Sequence, residues 1–146
     1  MSSHPEADSD VAGIVDRAYE LISFAAGGEP QWGAFRALFA DQCALALRVF
    51  PEDPTVTVMD LDEYVVAQMR EGLSDEGYAE IPGERVVEII GDVATVHQRF
   101  GMQFATGPAV PAVDVFCLAR VHGHWRIVSI VSDMDRESSS RSARSA

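Results

Sequence analysis

The chain has 146 residues, enough for one domain with a real core. Acids outnumber bases 23 to 11, the formal net charge is −12, and lysine and asparagine are absent, so every base is arginine. That excludes Schiff-base, P-loop and PLP-binding lysines, and it makes nucleic acid and anionic membrane surfaces poor partners.

Hydrophobic residues make up 47% of the chain, a globular proportion. No apolar run is long enough to span a bilayer. Residues 1–10 lack the basic and apolar regions of a signal peptide, so a cytoplasmic location is expected. Cys43 and Cys117 lie far apart and form neither a CxxC nor a zinc pattern. They read as reduced, buried thiols. No metal site and no cofactor is expected.

Both ends read as tails: 1–9 is polar, and 136–146 contains only Ser, Arg, Ala and one Glu. A single domain is expected over residues 10–135. Its first element is helical, because Val11, Ile14, Val15, Ala18, Leu21, Ile22 and Ala25 form one stripe at 3/4 spacing. Asp8 or Ser9 can cap it, and Gly27-Gly28 ends it. A short helix is expected near Gln31–Phe39, then a strand over Cys43–Phe50 and an extended piece at Val56–Val58. The next helix has the clearest start signal. Asp60 with Glu63 makes an Asp version of the capping box, and Met59 with Tyr64 can form the hydrophobic staple.

The remainder is β. Glu84–Ile90 and Val93–Phe104 flank Gly91-Asp92, a hairpin pattern. With those two as loop residues, Ile89 faces Ala94, Val87 faces Val96, and Arg85 faces Gln98. The face they share is apolar except for Arg85 and Gln98. Two more strands are expected near Val113–Val121 and Trp125–Ser132, joined by His122-Gly123-His124. Helices first and antiparallel strands last indicate an α+β fold. The last two strands are apolar on both faces, and an antiparallel sheet usually leaves one face to water. A second copy of the chain is the expected cover. With Cys117 assigned to the inside, the homodimer contact falls on Phe116, Leu118, Trp125 and Ile127.

Four segments carry a resemblance: Ala18–Leu21, Trp32 with Phe35–Phe39, Gly91–Val96, and Gly123–Ser129. Their order and spacing resemble the nuclear-transport-factor-2-like, or SnoaL-like, superfamily over about Val11 to Asp133. The resemblance implies a cone of curved antiparallel sheet closed by about three N-terminal helices, with a pocket inside. It does not imply a reaction, because that cone hosts isomerases, cyclases, dehydratases, hydrolases and binding modules.

Ketosteroid isomerases of the superfamily pair a first-helix Tyr with a carboxylic acid and add an Asp base. Tyr19 matches the Tyr by position. The acid's position falls on Cys117, and the base's position falls near Ala46 or Leu47, so only one of the three parts is expected here. An Asp-Arg-Asp set of the epoxide-hydrolase kind would need Asp114 inside the cone, which the assumed strand face forbids. The polar set expected in the pocket is therefore Tyr19, Arg85, Gln98, Cys117 and Ser132. Arg85 would hold a ligand carboxylate or enolate, or else pair with a nearby acid. The expected ligand is a small hydrophobic or carboxylate-bearing molecule, bound for isomerisation, dehydration or hydrolysis. A non-catalytic association module is the alternative. Ten acids and one base, Arg70, lie between Glu52 and Glu84, which reads as a solvated face.

Overall fold

A computed structural model describes residues 5–135. The Ser/Arg segment 136–146 and the first four residues lie outside the described residues. Among the described residues, four helices, α1 (Pro5–Ile22), α2 (Trp32–Arg36), α3 (Leu61–Gln68) and α4 (Leu73–Glu76), pack with six strands. The strands are β1 (Phe39–Leu47), β2 (Thr57–Met59), β3 (Ala79–Ile90), β4 (Val93–Gln103), β5 (Val110–Val121) and β6 (His124–Met134). They form one sheet in the order β2-β1-β6-β5-β4-β3. All pairings are antiparallel except β1 with β6, which is parallel. The expected α+β architecture is present.

Helix α1 lies on β3 and β6 and buries Val11, Val15, Ala18, Leu21 and Ile22. It starts at Pro5, so the folded part begins before the expected boundary at residue 10. It stops at Ile22, short of Gly27-Gly28, because Phe24 pairs its backbone with Tyr78 and leaves the helix. The capping box of α3 is complete. Asp60 Oδ1 accepts from the Glu63 N–H at 2.8 Å, and Glu63 Oε1 accepts from the Asp60 N–H at 2.9 Å. Met59 and Tyr64, the expected staple, are both buried. At the β5–β6 turn, His122 and Gly123 both take positive φ, as a two-residue hairpin turn requires.

Three register breaks curve the sheet: in β1 between Phe39 and Ala44, in β3 between Pro82 and Arg85, and between β5 and β6 at Cys117/Leu118. The β3 break is held by Gln98. Its amide Nε2 donates to the carbonyls of Gly83 at 3.0 Å, Glu84 at 3.2 Å and Arg99 at 2.9 Å.

The third break corrects the face assignment. Leu118 pairs with Ile127 but Cys117 pairs with Ser129, so Val128 is an extra residue in β6. Trp125 and Ile127 before it, and Ile130, Ser132 and Met134 after it, are therefore all buried in the cone. On β5, Val96 of β4 faces Phe116, Ala94 faces Leu118, and Gln98 faces Asp114. Phe116, Leu118, Trp125 and Ile127 are 1%, 2%, 5% and 0% exposed within a single chain. They are core, so they cannot be the contact between two copies.

The outer face is apolar in its own right. One row runs across the sheet through Val86, His97, Val115, Val131, Ala46 and Val58. Within it Val86 is 68% exposed, Val131 51% and Val58 72%. Among the described residues, no helix is long and apolar enough to cross a membrane.

Candidate functional site

Where α1 and α3 close the cone, a small cavity remains. Its polar lining comes from Tyr19 of α1, Tyr64 and Gln68 of α3, Glu80 of β3, Asp114 of β5 and Ser132 of β6. Arg48, just past β1, lines it as well. The rest is apolar, including Phe100, Met102, Phe116 and Met134. Free space for water-sized molecules is about 30 Å³. That is room for about two waters, so the side chains nearly fill the cone.

Helix α1 presents Tyr19 inward at the same level as Ala18 and Ile22. Its ring packs on Phe100 at 5.4 Å and edge-on to Phe116 at 5.9 Å between centroids. Its hydroxyl donates to Asp114 Oδ2 at 2.7 Å. Burial raises the Asp114 pKa to about 6, although hydrogen bonds from Tyr19 and Ser132 pull it down. Burial also raises the Tyr19 pKa, and the Asp114 charge adds to that effect. The phenol therefore stays protonated and remains a donor.

Glu80 is the second acid. Tyr78 Oη donates to its Oε2 at 2.5 Å, and the Ser23 hydroxyl accepts from its backbone N–H at 3.0 Å. Burial pushes its carboxyl up to about 8, and the nearby Asp114 charge adds to the rise. The two acids titrate as a linked pair. Near neutral pH the pair holds about one proton between its two carboxyls. Tyr64 completes this side. Its hydroxyl donates to Gln68 Oε1 at 3.3 Å, and it stacks on Phe35 with centroids 6.2 Å apart.

The expected site residues divide. Tyr19 and Ser132 are brought together at Asp114. Gln98 is fully buried but is spent on the β3 break and does not line the cavity. Arg85 is turned to α1, where it binds the Asp16 carboxylate and donates to the Ala12 carbonyl at 3.3 Å. It forms an ion pair with a nearby acid and does not line the cavity. Cys117 lies on the outer face, in a shallow apolar groove with Glu88, Ile90 and Val128, because alternation along β5 sends Phe116 and Leu118 inward. The same alternation carries Asp114 inward, against the strand face assumed from sequence. A signal was available: Phe116 and Leu118, the bulkiest apolar residues of β5, share the face of Asp114. Glu80 is hidden in the acidic stretch, whereas the period of α3 does put Gln68 on the inner face, four residues after Tyr64, without assigning it a role.

Neither protein-family models nor curated protein sequences give a match to this chain. Solved structures do. An NTF2-like protein with a cystatin-like fold from Novosphingobium aromaticivorans aligns over 94% of this chain and 88% of its own, with a TM-score of 0.71 and 18% identity. A protein of unknown function with a cystatin-like fold from Nostoc punctiforme aligns over 93% and 96%, with a TM-score of 0.70 and 12% identity. A candidate dehydratase of the NTF2-like family from Streptomyces avermitilis aligns over 91% and 99%, with a TM-score of 0.66 and 14% identity. Helices that close a curved six-stranded sheet, matched over nearly the whole length of these neighbours, give this chain the NTF2-like, cystatin-like fold.

Proposed function

We propose that the protein binds a small, mostly apolar molecule inside the cone and moves a proton on it. The observation that carries this reading is the hydrogen-bonded Tyr19–Asp114 pair in the closed end of the cone, with Glu80 as a second acid lining the same cavity. A buried carboxylate held by two donors is a base placed for a carbon or hydroxyl proton. A protonated carboxyl close by can return one. Two acids whose surroundings separate their affinities for protons divide the roles of base and acid between them. Isomerisation and dehydration are the reaction classes that use such a division. The dehydratase name of the Streptomyces avermitilis neighbour is consistent with this by analogy of fold.

The test needs no known substrate. Exchange of α-protons for deuterium in small ketones is followed by NMR in heavy water. The native chain should accelerate exchange above buffer. Asp114→Asn should lose about a hundredfold of that acceleration, and Tyr19→Phe a smaller part. A native rate equal to buffer for ketones that do bind would defeat the catalytic reading and leave a binding protein.

The exposed valine row supports a second inference, that two copies of the chain pair through the outer face of the sheet. The contact residues are then Val86, Val115, Val131 and Val58, in place of the buried set expected from sequence.

A further inference from the structure

The ligand's chemistry is written in one side chain that the acid–base reading leaves idle. Gln68 is 1% exposed and lines the cavity. Its Oε1 accepts from Tyr64, but its Nε2 has no acceptor among the described residues. Buried amide donors are almost always paired, and an orphan is costly to keep. Gln98 holds the other buried orphan, its Oε1, but that side chain is fixed by three carbonyls and does not line the cavity. The Gln68 amide is therefore the cavity's unspent donor.

We propose that Gln68 selects the ligand: its amide N–H takes the carbonyl oxygen of an uncharged, mostly apolar molecule such as a ketone or an ester. This rests on the reading of the cavity as a binding site. A carboxylate is excluded by its surroundings. Glu80 and Asp114 face the same space. Arg48, the one cation lining it among the described residues, already grips both oxygens of Asp133 at 2.7 Å and donates to the Asp53 carbonyl at 3.1 Å. The carboxylate-bearing ligand expected from sequence is accordingly replaced by a neutral one. Without ligand, the cavity has room for water on the amide. A carbonyl oxygen replaces that water without losing the hydrogen bond, whereas a hydrocarbon does not. Met102 and Met134 line the cavity, and these unbranched side chains can shift to admit a ring.

Three probes of nearly one shape test the proposal: cyclohexanone, methylenecyclohexane and cyclohexanecarboxylate. Each is titrated into the full chain labelled at the methionine methyls, and affinity is read from the shifts of Met102 and Met134. Cyclohexanone should bind about tenfold more tightly than methylenecyclohexane, and the carboxylate should not bind. Gln68→Met, which keeps the volume, should erase the preference for the ketone. Equal affinity of ketone and alkene in the native chain would overturn the role of Gln68 and leave the cavity reading standing. Silence of both methyls with every probe would overturn the cavity reading and this inference together. The native-chain comparison does not depend on the variant folding.

Discussion

Replacing Glu80 by glutamine gives the most direct test of the buried acid pair. In the fold burial pushes this carboxyl up to about 8, against an ordinary value of 4.5. Between those values it is protonated in the native state and ionised in the unfolded chain. The native state then holds more protons, so stability falls as pH rises through the window. The gap of about 3.5 pH units, at about 1.4 kcal/mol each, sets a ceiling of about 5 kcal/mol. Glu80 is partly solvated and shares its titration with Asp114, so about 2 kcal/mol is the expected size. The amide introduced by Glu80→Gln is neutral at every pH and can still accept from Tyr78. Urea unfolding of both proteins at pH 5, 7 and 9 gives the comparison. The gain of Glu80→Gln over the native chain should be small at pH 5 and reach about 2 kcal/mol at pH 9. A gain that does not change with pH, or a variant less stable at pH 9, would refute the placement of an uncompensated acid at this position.

Two further outcomes follow from other parts of the fold. Asp60→Ala removes one half of the α3 capping box and should cost about 1 kcal/mol in urea unfolding. Because α3 carries Tyr64 and Gln68, the same change should weaken cyclohexanone binding as well. Val131→Glu places a charge in the middle of the exposed valine row. If two copies meet there, sedimentation should show a native dimer and a monomeric variant of unchanged circular dichroism. A native monomer at micromolar concentration would remove the pairing.

The legible parts of the sequence were those where one local device fixes geometry. Gly91-Asp92 sets the β3–β4 turn, and the pairs Ile89–Ala94, Val87–Val96 and Arg85–Gln98 follow from it in the structure. Asp60 and Glu63 set the start of α3 in the same way. The face of β5 had no such device. Its alternation was readable, but which side faced inward was not, and choosing Cys117 for the inside displaced Asp114 from the site. In β6 the extra residue Val128 breaks the period of two, so no strictly alternating reading could place Trp125 and Ser132 on one face. Tyr19 and Ser132 came from the family resemblance, since the apolar stripe of α1 omits Tyr19 and strict alternation misplaces Ser132. Period puts Gln68 on the inner face of α3 with Tyr64, but its unpaired amide is a property of packing, which period alone does not reveal. Arg85 shows the reverse: its opposition to Gln98 was read correctly, but its partner Asp16 comes from α1, a contact distant in sequence.

The parallel pairing of β1 with β6 has a consequence for how the chain is made. Leu45 meets Ile130 and Ala46 meets Val131, so β1 has no inner neighbour until residues 124–134 have been synthesised. Until then α1 and α2 have only a partial sheet to cover, and the apolar side chains of Phe35, Phe39 and Leu45 wait in a growing chain. Pairings this distant slow folding, because the loop between them must close before any contact rewards it. A nascent chain stalled before β6 should therefore remain a substrate for chaperones and proteases, and release of β6 is the event that commits it to the native cone.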